Sequence, residues 1–356
     1  LGGVGVISYV FDALNRLTSA QKPTGERYTL AYDVDSRRTT MQLGNGTTRA
    51  YAYDANSRLT TQIELNGVAQ LVTIVDSYDP VGNRIGRNLD GVLTTWTYDD
   101  LYRLTHQNKP GQVCTYVLDP VGNLEVMWEA TANPKTFTFD AADRLVTMVE
   151  GTNTTTYTYT GYGALEVTVD SRGTRTTNTY DGQDQLIKVQ RGGGGLVGTT
   201  STYTFDGEGM RRTAQEGNVA PTTMVWDGSD YLFLDGPSSD SLVLTLDGEI
   251  VACGSKDLLT DPLGTLVREI SSGASLSSAF SFYPYGSPVT GTTPTIPFRF
   301  IAAYGYYFDT SDRDYVRARE LEKRLGRWMQ TDPLWPDEPG YEYANASPGA
   351  ASDPSG

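Results

Sequence analysis

The sequence predicts an all-β protein, a spiralling antiparallel ribbon of hairpins closed by a compact C-terminal core. Three observations predict it. An aromatic residue followed by Asp, or a close stand-in, recurs every 20, 21 or 25 residues from Phe11-Asp12 to Trp226-Asp227. Between these marks the chain alternates with a period of two, and up to about residue 297 almost nothing has helical spacing. A fixed period of this length means one supersecondary unit stacked many times, each burying its apolar face against its neighbours.

The marks run in order through Tyr32-Asp33, Tyr53-Asp54, Tyr78-Asp79, Tyr98-Asp99, Leu118-Asp119, Phe139-Asp140, Tyr159-Thr160, Tyr180-Asp181 and Phe205-Asp206. The strand before each mark alternates aromatic with small polar residues, as in Thr156-Tyr157-Thr158-Tyr159 and Thr202-Tyr203-Thr204-Phe205. Such alternation puts the rings on one face of a strand and the threonines on the other. A short turn follows the Asp, then a strand such as Asn15-Arg16-Leu17-Thr18, Ser57-Arg58-Leu59-Thr60 or Tyr102-Arg103-Leu104-Thr105. Asn45-Gly46, Asn66-Gly67, Asp90-Gly91 and Lys109-Pro110-Gly111 then supply hairpin turns. The Asp reads as a turn-former that accepts backbone N–H groups two residues on. A calcium site is the sharper alternative, but each unit offers a single carboxylate where calcium wants several oxygens together. The two 25-residue units imply insertions at hairpin tips, with Arg191-Gly192-Gly193-Gly194-Gly195-Leu196 expected as a flexible loop. That run lacks the ending a phosphate-binding loop requires.

These signals divide the chain into repeats over residues 1–227, degenerate repeats over 228–296 and an end structure over 297–356. The last is dense in Arg, aromatics and Asp, which suggests buried ion pairs, with at most one or two short helical turns between Arg317 and Trp328. Formal net charge is −15, so the chain repels phosphate backbones and nucleic-acid binding is not expected. An acidic wall suited to a basic cargo is compatible with that charge, as is a plain acidic surface. There is one histidine, His106, set in an expected strand, and two cysteines, Cys114 and Cys253, too far apart for a metal or redox motif. No cofactor or metal motif is present, and no apolar run is long enough to span a membrane. The chain opens Leu1-Gly2-Gly3-Val4 without an initiator methionine, which reads as a piece of a longer polypeptide.

Together these residues resemble the Rhs, or YD-repeat, family. Asp261-Pro262-Leu263-Gly264-Thr265 is similar to its DHLGSxR element and Phe282 to Gly286 to its YxPYG element. Pro297-Phe298-Arg299-Phe300, Arg317-Ala318-Arg319, Gly326-Arg327-Trp328, Asp332-Pro333, Tyr341-Glu342-Tyr343, Asn345, Pro348 and Asp353-Pro354-Ser355-Gly356 follow the family's core motif in order. The resemblance implies a ribbon that forms part of a hollow shell around a C-terminal toxin or other cargo. It also implies self-cleavage just after the DPSG end by an aspartyl-protease-like reaction, with Asp332 and Asp353 as the carboxylates and Arg319 as their partner. Two nearby carboxylates that share a proton can act as base and acid on one peptide bond. The expected partners are the enclosed cargo, with self-association or a secretion system as further possibilities, and the expected location is secreted or bacterial cell-surface. The sequence departs from the motif at Arg319-Glu320-Leu321-Glu322, at Phe300-Ile301-Ala302 and at Gly340-Tyr341. A core that caps without cutting fits those departures. So does a non-enzymatic surface or wall-associated protein serving adhesion, or a glycan binder with exposed aromatic rows.

Overall fold

A computed structural model describes residues 5–129, 133–237, 240–289, 291, 293–335 and 339–356. The opening Leu1-Gly2-Gly3-Val4 and part of the connection between Asp332 and Asp353 lie outside them. Among the described residues twenty-six strands, from Ser8–Phe11 to Leu266–Ser271, form one sheet in which each strand pairs antiparallel with its neighbour in sequence. Four short strands, Tyr307–Phe308, Arg313–Val316, Arg319–Glu322 and Arg327–Trp328, make a second sheet. Among the described residues the only helical elements are two 3-10 turns, Ala302–Tyr304 and Ala344–Ala346. Between Arg317 and Trp328, where at most one or two short helical turns were expected, the described residues form two strands joined by a turn. Glu320 and Leu321 point to opposite sides of Arg319–Glu322, and both are buried. A strand covered on both faces loses the alternation by which a half-buried strand is recognised.

The aromatic–Asp unit works as a three-part joint. In the unit at Asp54, one carboxylate oxygen accepts the amides of Asn56 (2.9 Å) and Arg58 (3.0 Å), and the other accepts Arg58 Nε at 2.7 Å. Asp12, Asp33, Asp99 and Asp140 repeat this geometry, while Asn83 and Asn123 replace the Arg at Asp79 and Asp119. The same Arg reaches forward, since Arg58 Nη1 donates to the Asp79 carbonyl at 2.7 Å and its guanidinium lies 5.0 Å from the Tyr78 ring. The tyrosine completes the joint by reaching back. Tyr32, Tyr53, Tyr78, Tyr98 and Tyr180 each donate their hydroxyl to a carbonyl of the preceding unit at 2.7 to 2.8 Å. Trp226 does so with its indole N–H at 2.7 Å. Asp thus fixes the turn within a unit, and Tyr and Arg tie successive units. Tyr53→Phe should cost about 0.5–1.5 kcal/mol in chemical denaturation, because it leaves the Arg38 carbonyl without this donor. An unchanged midpoint would show that the tie carries no stability.

The two 25-residue units lengthen both strands of a hairpin. Leu59–Asn66 and Ala69–Tyr78 form one such pair, and Leu186–Gly193 and Leu196–Phe205 the other. The expected flexible loop at 191–196 is a correction. Gly193 pairs with Leu196 across a two-residue turn at Gly194 and Gly195, whose φ values of 59° and 85° suit the mirror-image turn that matches sheet twist.

The ring-bearing face turns inward. Tyr28, Trp96, Tyr116 and Tyr157 are buried, so the outward aromatic rows imagined for glycan binding do not form from them. Central repeats from Trp96 to Leu165 pack on Tyr285, Phe300, Tyr306, Trp328 and Tyr343. Repeats from Leu186 onward pack on Phe298, Tyr307 and Tyr315. The first repeats instead meet the last strands of the ribbon, with Leu30, Met41 and Ile74 against Leu244, Leu259 and Ile270. Polar ties cross that seam: Tyr28 to Asp257 (2.5 Å), Arg49 to the Leu258 carbonyl (2.8 Å) and Gln62 to the Thr260 carbonyl (2.8 Å). The ribbon curls because the apolar face its alternation creates must be covered, by the C-terminal segment for the central and later repeats and by the ribbon's own last strands for the first ones.

Candidate active site at the C-terminal tail

Arg319, Asp332 and Asp353 come together in the structure. Arg319 begins the second inner strand, immediately after a tight turn in which Arg317 has a φ of 46°. One nitrogen, Arg319 Nη2, holds Asp332 Oδ2 at 2.6 Å and Asp353 Oδ2 at 3.1 Å. The guanidinium lies 4.4 Å from the buried Trp328 ring, which fixes its plane. Burial pushes the Arg319 pKa below its usual value, against the pull of Asp332 and then Asp353.

The other oxygen of each carboxylate shapes its own loop. Asp332 Oδ1 accepts the Leu334 amide at 2.8 Å. Asp353 Oδ1 accepts the Ser355 hydroxyl at 2.9 Å and the Gly356 amide at 3.1 Å. The tail beyond Asp353 therefore folds back over its own carboxylate. Tyr306 joins here, donating its hydroxyl to the Asp353 carbonyl at 2.5 Å and accepting the Asp353 amide at 3.2 Å. Arg319 Nε and Nη1 are buried without a hydrogen-bond partner, so one nitrogen carries the whole bridge. Chemically, the arrangement sets two carboxylates and one cation beside a constrained peptide segment.

The departures from the family motif acquire a physical account. Glu320, where the pattern has an aromatic, is buried and meets Arg211 Nη2 at 2.9 Å and the Gln330 amide. Arg211 also binds Asp309 at 2.7 Å, and its guanidinium sits 3.7 Å from the Tyr315 ring. Arg313 adds a bond to Asp309 at 3.3 Å. A buried glutamate is tolerated because a repeat residue more than a hundred positions away supplies its counter-charge. No local signal could have shown that pairing. Buried ion pairs were expected inside 297–356; the principal one reaches outside it.

Two other acids are poised differently. Burial, with Asp312 adding to it, pushes Glu322 up to about 7, and burial does the same for Glu342. A carboxylate whose folded pKa exceeds its unfolded value stabilises the fold at low pH and withdraws that stability as pH rises through the folded value. Stability should therefore fall between about pH 5 and pH 8, by on the order of 1–3 kcal/mol per group. Urea titrations at both ends of that window test it. Glu322→Gln should flatten the slope, and an unchanged slope would remove Glu322 from the account.

The remaining candidates lie elsewhere. His106 is exposed on its strand, and Cys114 and Cys253 are free and buried, their thiols pushed up to about 12 by burial. Among the described residues no cluster of His, Cys, Asp and Glu could hold a metal, and no helix is long and apolar enough to cross a membrane.

No protein-family model and no curated protein matches this chain. Solved structures do. The Tc holotoxin pore of Photorhabdus luminescens superposes with a TM-score of 0.66 at 16% identity, covering 98% of this chain and 21% of that one. A TcdB2–TccC3 crystal structure gives 0.53 at 16% identity over 97% of this chain and 24% of that one. A TcdB2–TccC3–Cdc42 structure gives 0.52 at 15% identity over 98% and 23%. The likeness is one of fold. This chain spans between a fifth and a quarter of those longer chains.

Proposed function

We propose that this chain is a segment of a repeat shell that encloses a C-terminal toxin or other cargo, and that its end structure cuts the peptide bond just past Gly356. The division into repeats over 1–227, degenerate repeats over 228–296 and an end structure over 297–356 belongs to this reading, as does a secreted or cell-surface location. The observation that carries it is the joining of Asp332 and Asp353 on one Arg319 nitrogen, with the Gly356 amide bound to one of those carboxylates. The fold shared with Tc toxin chains supports the shell part.

In the reaction, one carboxylate takes a proton from water as the water oxygen adds to the carbonyl carbon of Gly356. The other, protonated, gives its proton to the amide nitrogen as the C–N bond breaks. A carboxylate and an amine result, and one water is consumed. Arg319 offsets the second negative charge that would otherwise push the pair apart. Because substrate and site are one chain, positioning replaces binding.

A second reading has its own observation. Both carboxylates also cap local turns, so the triad can serve as a latch in a cap that does not cut. Intact mass of a chain extended past Gly356 separates the two. Cutting in the wild type that is lost in Asp332→Asn and Asp353→Asn supports hydrolysis; an uncut wild type favours the latch.

A further inference from the structure

We infer that Tyr306, Arg317 and a notch that admits only glycine at position 356 form a register clamp, selecting which peptide bond the two carboxylates meet. The inference rests on the self-hydrolysis proposed above.

Three consecutive tail carbonyls each have a separate donor. The Asp353 carbonyl accepts the Tyr306 hydroxyl at 2.5 Å, the Pro354 carbonyl accepts Arg317 Nη1 at 2.7 Å and the Ser355 carbonyl accepts the Ala318 amide at 3.3 Å. The ties fall on successive residues and converge on the carboxylates. Arg317 is itself anchored twice more, by Nε to the Ser229 carbonyl at 3.0 Å and by Nη1 to the Tyr304 carbonyl at 2.8 Å. The clamp is thus mounted on a hairpin turn of the ribbon as well as on the end structure. A shift of one residue along the tail would misplace all three carbonyls together.

Gly356 sets the stop. It is buried, with a φ of 83° that side-chain-bearing residues rarely adopt. A methyl group there would collide with the Val316 carbonyl and lie 3.1 Å from the Arg319 amide nitrogen. Only a residue without a side chain fits beside the arginine that holds the two carboxylates. Tyr306 and Arg317 act as positioning residues, through the tail's carbonyls; Gly356 decides the register.

The test uses the chain extended past Gly356 by a short hydrophilic peptide, followed over time by intact mass. The wild type should give one product mass. Gly356→Ala should slow cutting by on the order of a hundredfold, the cost of an ångström-scale misplacement. Tyr306→Phe and Arg317→Ala should each slow it by roughly tenfold, the worth of one hydrogen bond. Arg317→Ala should also yield a second product one residue away, which Arg317→Lys suppresses. Variants with wild-type circular dichroism and unfolding midpoint that cut at the wild-type rate and place would overturn the clamp. If the wild type is not cut, the hydrolysis reading fails by itself. Hydrogen exchange then decides the clamp: the Ser355 and Gly356 amides should be protected in wild type and lose protection in Arg317→Ala. Equal exchange in both would overturn it.

Discussion

Arg211→Ala should cost about 3–5 kcal/mol of stability, or prevent folding outright. Arg211 is wholly buried in the repeat wall, and its two terminal nitrogens neutralise Asp309 and Glu320, both nearly inaccessible. Removing it leaves Glu320 without a cation and Asp309 with only Arg313 at 3.3 Å, and uncompensated buried charge is among the most destabilising changes known for a single residue. It also removes the cation stacked between Tyr203 and Tyr315, at 4.2 and 3.7 Å from their rings. The sign depends on breaking the network rather than on losing charge as such. Arg211→Met combined with Asp309→Asn and Glu320→Gln should recover much of the loss, because it strands no carboxylate and leaves Arg313 with Glu216 at 3.7 Å. Chemical denaturation of the two variants checks this. A single variant within 1 kcal/mol of wild type would show that solvent reaches the network.

Asp332→Asn or Asp353→Asn should reduce self-cutting of an extended chain by at least about 10²–10⁴-fold, the usual contribution of one acid–base group. Asparagine keeps the shape, and its oxygen can still cap the turns at Leu334 or Ser355, so the fold should persist. What it removes is the capacity to take or deliver a proton. Arg319→Gln separates electrostatics from proton transfer. It leaves both acids in place without their shared cation, so the pair should hold one proton more tightly and the pH optimum of cutting should move upward. Time-resolved intact mass across pH measures all three. Unaltered cutting in both Asp variants would end the assignment, and an unmoved optimum in Arg319→Gln would leave the arginine a purely structural bridge.

Much of this was legible in the residues. The period announced the ribbon, and the Asp at each mark was readable as a turn-former because its hydrogen bonds are local, reaching amides two and four residues on. The hairpin lengths followed from the spacing, since a 25-residue unit has four residues more than a 21-residue one and spreads them over two strands. The tyrosine's backward reach was not legible. Its partner carbonyl lies some fifteen residues earlier and carries no side-chain signature, so the ring read only as a strand former. Arg319, Asp332 and Asp353 were found through the motif; Arg317 stood in that motif without a role, and Tyr306, which also holds the tail, had nothing to mark it. The segment Arg319–Glu322 was not legible as a strand because it is buried on both faces, which erases the alternation that identifies one.

The sequence by itself determined everything carried by contacts within a unit or between adjacent units: strand, turn, hairpin and the order of the meander. These depend on side-chain alternation, on φ-permissive turn residues and on carboxylates that bond to nearby amides. Only the tertiary structure decided what lies inside the curve. The inward face needed an apolar cover, the buried Glu320 needed a cation, and two carboxylates on separate loops needed one arginine between them. Each was met by a residue distant in the chain, because desolvation penalises any buried charge or exposed apolar face whatever the sequence separation of the group that relieves it.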